Sequence, residues 1–104
     1  KVIETPTMKD KTSLLKDSDI EYLKEWVNSG GEDSHAIDFM GGSSVIVLGR
    51  KQVNLNYARE KVSWNGFFER LLELGFIEIY GYTNKQNKPK YRLKEAAYEF
   101  VDSL

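Results

Sequence analysis

The stretch Leu71-Leu72-Glu73-Leu74-Gly75-Phe76-Ile77-Glu78-Ile79-Tyr80 decides the fold. Its first half continues the helical spacing of Trp64, Phe67 and Phe68. Its second half alternates apolar and polar residues, the period of a half-buried strand. Gly75 sits between them, where a helix C-terminus wants a residue free to take positive φ. A helix ending at Leu74 and a strand beginning at Phe76 follow. A polar loop comes next, then Lys90-Tyr91-Arg92-Leu93 as the partner strand of a β-hairpin. Residues 94–104 complete the chain as a short helix, with Ala97, Phe100, Val101 and Leu104 on one face.

Upstream, residues 57–74 read as the main helix, with Val62, Trp64, Phe67, Phe68, Leu71, Leu72 and Leu74 on a wide apolar face. Gly66 lies inside it at a cost of about 1 kcal/mol relative to Ala, which points to close approach by another backbone. Residues 35–40 and 43–48 form two β-prone runs around Gly41-Gly42, a second hairpin. Residues 52–56 read as loop or a short extension. Asp17-Ser18-Asp19 is a helix start, with Ser18 as cap and Glu21 three residues on. Ile20, Leu23, Trp26 and Val27 form the stripe of that helix, and Gly30-Gly31 stops it. Residues 1–16 carry no clean period and read as a linker or arm, with Leu14 and Leu15 pinning its end. The expected architecture is α+β in the order helix, β-hairpin, long helix, β-hairpin, short helix, one domain over residues 17–104.

Composition supports one core and little else. The chain has 104 residues, 40% hydrophobic and 12% aromatic, enough for a single domain without staples. No apolar run approaches the roughly 18 residues of a membrane span. The absence of cysteine excludes disulfides and thiolate sites. That absence, and a start lacking an apolar signal segment, lead us to expect a cytoplasmic protein with no membrane partner. The start at Lys1 leads us to expect a piece of a longer chain.

Charge is unevenly laid out. The net charge is −1, yet residues 17–38 hold seven acids against one base, Lys24. Residues 81–94 hold five bases and no acid. Catalysis finds no constellation. His35 is the lone histidine, too little for a metal site. Gly41-Gly42-Ser43-Ser44 lacks the spacing of a nucleophile elbow or a phosphate loop. We expect no enzyme activity, no metal and no cofactor. The candidate site is the basic loop: Lys85, Lys88, Lys90 and Arg92, interleaved with Tyr82 and Tyr91 and the amides Asn84, Gln86 and Asn87. Lysines supply salt-dependent affinity for phosphates, and aromatics and amides supply local contacts. The plain reading of the same residues is a solvated hairpin tip. The acidic first helix reads as a solvated face or a surface for a basic partner, including the basic loop of a second copy.

The run from Leu71 to Glu78 and the run from Tyr91 to Asp102 together resemble the second half of a winged-helix domain. There a helix ends in a leucine, glycine, apolar stop, a hairpin wing follows, and a helix opens with leucine and carries a tyrosine, here Leu93 and Tyr98. Lys94 and Ala97 stand where that pattern has threonine and glycine. Gly41-Gly42, Val45-Ile46, Gly49, Arg59-Glu60 and Trp64 are similar to a winged-helix-like module at the C-termini of larger bacterial and phage-defence-type proteins. The resemblance covers residues 34–102. It implies a nucleic-acid-binding module working through the basic wing or, alternatively, a protein-interaction or dimerisation module. The Gly41-Gly42 hairpin occupies the place of the second helix of a helix–turn–helix, which argues against ordinary major-groove recognition.

Overall fold

The computed structural model describes residues 14–104. The elements run α1 (Asp17–Asn28), β1 (Asp33–Asp38), β2 (Ser44–Leu48), β3 (Lys51–Leu55), α2 (Ala58–Glu73), β4 (Ile77–Tyr82), β5 (Pro89–Leu93) and α3 (Glu95–Asp102). The architecture is α+β: three helices and one five-stranded antiparallel sheet in the order β3-β2-β1-β5-β4.

The expected first hairpin is a three-stranded meander. Residues 52–56, expected as loop or extension, supply β3, paired with β2 from Ser44↔Leu55 to Leu48↔Lys51. As an outer strand β3 turns only two apolar residues, Val53 and Leu55, toward the helices, so Lys-Gln-Val-Asn-Leu looks polar. The arm expected over residues 1–16 falls mostly outside the described residues. Of its two anchoring leucines, Leu15 joins the core and Leu14 is exposed.

The helices pack on one face of the sheet. β2 alternates strictly, with Ser44, Ile46 and Leu48 buried and Val45 and Val47 half-exposed on the open face. Leu23 and Trp26 of α1, Trp64, Phe67, Phe68 and Leu71 of α2, and Ala97 and Phe100 of α3 fill the core. Aromatic contacts knit the layers: Phe68 stacks on Tyr91 of β5 at 4.5 Å, and Phe76 on Phe100 at 5.2 Å. On the expected apolar face of α2, Val62 is exposed, because it lies on the turn pointing away from the sheet. Leu104, expected on the buried face of the last helix, lies beyond the end of α3 and is exposed.

Gly75 ends α2 as expected. Its φ is +76°, its N–H reaches Leu72 O at 3.1 Å, and Phe76 N–H reaches Leu71 O at 3.0 Å. This is the Schellman pattern, which satisfies two carbonyls left over at the helix end.

The start of α1 differs from expectation. The helix begins two residues earlier, with Lys16 rather than Ser18 at the N-cap, and Asp19 takes the role assigned to Glu21. The Asp19 carboxylate accepts the Lys16 N–H at 2.9 Å. α2 opens the same way: Glu60 accepts the N–H groups of Asn56 and Tyr57 at 3.2 Å each. In both helices an acid on the third residue does the capping and the N-cap side chain does none.

Asp19 reaches further. It is buried and accepts two hydrogen bonds from Arg70 of α2. Gly66 belongs to this contact. A Cβ there would lie 2.9 Å from Arg70 Nη1, so the space is filled by the guanidinium rather than by the backbone we expected.

At the other end of α1 the chain folds against the β2–β3 turn. A Cβ on Gly31 would sit 2.9 Å from Gly49 Cα, and one on Gly49 2.8 Å from Gly31 O. The Ser29 hydroxyl accepts the Arg50 N–H at 3.1 Å and the Gly31 N–H at 3.3 Å while donating to Trp26 O at 2.7 Å. Small residues here let helix end and turn touch backbone to backbone.

Candidate nucleic-acid interface

The basic segment expected to form a wing lies on the β4–β5 hairpin, hereafter the wing, with its loop over residues 83–88. Thr83 organises the tip. Its N–H donates to Lys88 O at 2.8 Å, its carbonyl accepts the Asn87 N–H, and its hydroxyl accepts the Lys88 N–H at 2.9 Å. Asn87 takes the left-handed conformation, φ +53°, that closes the turn, a region asparagine tolerates.

β5 also pairs with β1, but only through Asp33↔Arg92 and Ser34↔Tyr91. Continuing that register would set Ala36 opposite Pro89, which has no N–H to give. The strands part there, and a side chain takes over. Gln86 Nε2 donates to Asp38 O at 2.7 Å, and Asp38 N–H donates to Gln86 Oε1 at 2.9 Å. Gln86 thus imitates a backbone partner and fastens the wing tip to the end of β1. A cleft of about 270 Å³ remains between the tip and His35, Ala36 and Ile37.

The wing cations have different company. Lys88 Nζ lies 3.0 Å from Asp38 Oδ2, and Arg92 Nε 2.6 Å from Glu78 Oε1 directly across the hairpin. The Ser44 hydroxyl and Lys88 hold the Asp38 carboxyl below its ordinary pKa. The hydrogen bond to Glu78 raises that of Arg92. Lys85 and Lys90 have no carboxylate within ion-pair distance among the described residues. Lys85 is exposed at the tip. Lys90 Nζ stands 4.9 Å from the centre of the Tyr80 ring, and the Arg92 guanidinium 5.5 Å from the same centre, both in cation–π range. Burial and the neighbouring Asp33 raise the Tyr80 pKa, so the phenol stays protonated around neutrality.

The five residues marked out from sequence therefore separate. Lys85, Lys90 and exposed Tyr82 remain open to solvent-borne partners. Lys88 and Arg92 are drawn into ion pairs with acids that lie outside the basic segment, in β1 and β4. Tyr91, also in that segment, is half-buried and stacked on Phe68. Tyr80 was not among the sequence candidates. Its signal was the two-residue alternation that sets it on the open face with Glu78 and across from Lys90 and Arg92.

A second basic position lies on the helix side of the wing. Lys61 donates to Gly42 O at 2.6 Å and, with Lys88, Asn65 and Ser44, borders a cavity of about 180 Å³. Arg50 and Lys51 cap the β2–β3 turn, separated from the wing by β1 and β2 in the sheet order. Among the described residues no three acids or histidines gather as a metal site would need, and no helix is long and apolar enough to cross a membrane.

No family model, no curated protein and no solved structure matches this chain.

Proposed function

We propose that this chain is a winged-helix-like, nucleic-acid-binding module that uses the wing tip and the adjoining open face of the sheet. One observation carries the reading: Lys85 and Lys90 have no ion-pair partner among the described residues, Lys90 stands over the Tyr80 ring, and the rings of Tyr80 and Tyr82 are exposed. Unpaired lysines release counterions on meeting phosphates, and exposed rings offer stacking surfaces to bases. The succession of α2, the Gly75 stop, the β4–β5 hairpin and α3 supports the winged-helix part of the reading. The three-stranded meander, standing where a winged helix has its second helix, is the reason the proposed contact is through the wing.

The test is a fluorescence anisotropy titration with single- and double-stranded DNA and RNA at low salt. Binding to at least one of them is expected, and Lys85→Glu with Lys90→Glu should abolish it. Failure to bind any of the four overturns the reading.

A second reading, a self-associating module, is favoured by a different observation. The outer edge of β3 carries no neighbouring strand among the described residues.

A further inference from the structure

The two outer strands of the sheet are built differently. On β4 the pairing slips between Ile79 and Gly81, and Tyr80 is left as a bulge. A bulge breaks the row of outward N–H and C=O groups and twists the edge away from strand addition. β3 has no such interruption. Its five residues stay in unbroken register with β2, so its outward row is regular. A lysine is the usual guard of such an edge. Lys51, the only charged residue on β3, lies 4.0 Å from Glu25 Oε2 of α1, which offsets its charge.

We infer that β3 of a second copy docks antiparallel on β3 about a two-fold axis at Val53, joining the two sheets into one. This rests on the self-association reading. The sequence of the strand is complementary to itself in that register. Lys51 comes to lie opposite Leu55, Gln52 opposite Asn54, and Val53 opposite Val53. No like charges face each other, and the two lysines stand about 13 Å apart along the strands. Each of the two Gln52–Asn54 pairs places amides side by side on the open face, where each can donate and accept. Val53, half-buried against the core, gains a β-branched cross-strand partner on the helix side. Residues directly opposite in a sheet point to the same side, so this register keeps the helices of both copies on one face. The interface is isologous and closes as a dimer, with both β3 edges used up.

The experiment is sedimentation equilibrium of the 104-residue chain from about 1 μM to about 500 μM, with two double variants. The wild type should pass from one chain to two across that range. Gln52→Lys with Asn54→Lys sets lysines against each other at both amide pairs and should weaken the dimer at least tenfold. Gln52→Lys with Asn54→Glu sets opposite charges there and should tighten it severalfold. Gln52 and Asn54 are both exposed, and circular dichroism of each variant should match the wild type. A wild type that stays monomeric throughout overturns the inference together with the self-association reading. A dimer indifferent to both variants overturns docking through β3 alone and leaves self-association standing through another surface.

Discussion

Arg70 Nε and Nη2 hold the two carboxylate oxygens of Asp19 at 2.7 and 2.9 Å, with Asp19 also accepting the Lys16 N–H. One carboxylate therefore starts α1 and fastens it to α2. The Asp19 side chain is 4% exposed and that of Arg70 25%, so water competes little for the acid.

Asp19→Asn keeps the shape and removes the charge. It should cost about 1.5–3 kcal/mol of stability at neutral pH, the range for hydrogen bonds to charged groups, read as a lower urea midpoint. Burial raises the Asp19 pKa, but the bonds from Arg70 and Lys16 outweigh it, and the net position is below the ordinary 3.8. A depressed folded pKa contributes stability above the unfolded value that is lost as pH falls through the folded one. The wild type should therefore lose stability progressively below about pH 4, and Asp19→Asn should show a shallower acid loss.

Gly66→Ala tests the space that Arg70 uses. An alanine in a helix interior gains about 0.5–1 kcal/mol over glycine. Here its methyl would displace the guanidinium, 2.9 Å away, and loosen the grip on Asp19. The gain should appear in full in an Arg70→Ala background and be largely missing in the wild type. A double-mutant cycle by chemical unfolding measures that difference, and additive effects would refute the coupling.

Ser34 offers a gain. Its hydroxyl is fully buried on the core side of β1 and has no hydrogen-bond partner. An orphaned buried hydroxyl carries a desolvation penalty of about 1–3 kcal/mol. Ser34→Ala should stabilise the protein by about 1 kcal/mol, seen as a higher urea midpoint with an unchanged slope.

The wing lysines should separate in salt titrations of nucleic-acid binding. Lys85→Ala and Lys90→Ala should each reduce the slope of log K against log salt by about 0.9 on duplex or about 0.7 on single strands. Lys88→Ala should change it less, since Asp38 already holds that charge. Equal losses at all three positions would refute the division drawn here.

The parts legible in the sequence were those fixed by neighbours along the chain. The end of α2 is one, since Leu71, Leu72, Gly75 and Phe76 carry the whole Schellman pattern within six residues. The turn at Gly41-Gly42 is another. β3 was not legible, because an outer strand with one solvated face shows too few apolar residues to declare itself. Nor was the division of the wing cations, because Lys88 and Asp38 are joined only by the fold. Asp19 was hidden for the same reason: its cap bond is local, but its partner Arg70 lies 51 positions away.

Gly31 and Gly49 leave no room for a side chain on either: a Cβ on Gly31 would meet the Gly49 backbone, and one on Gly49 would meet the Ser29 hydroxyl and the Gly31 carbonyl. In any lineage of this protein, a methyl acquired at one position would collide with the backbone at the other. Neither can drift alone. The two sites are bound to a shared fate, and descendants should either keep both bare or alter them together with the turn and helix end that bring them into touch.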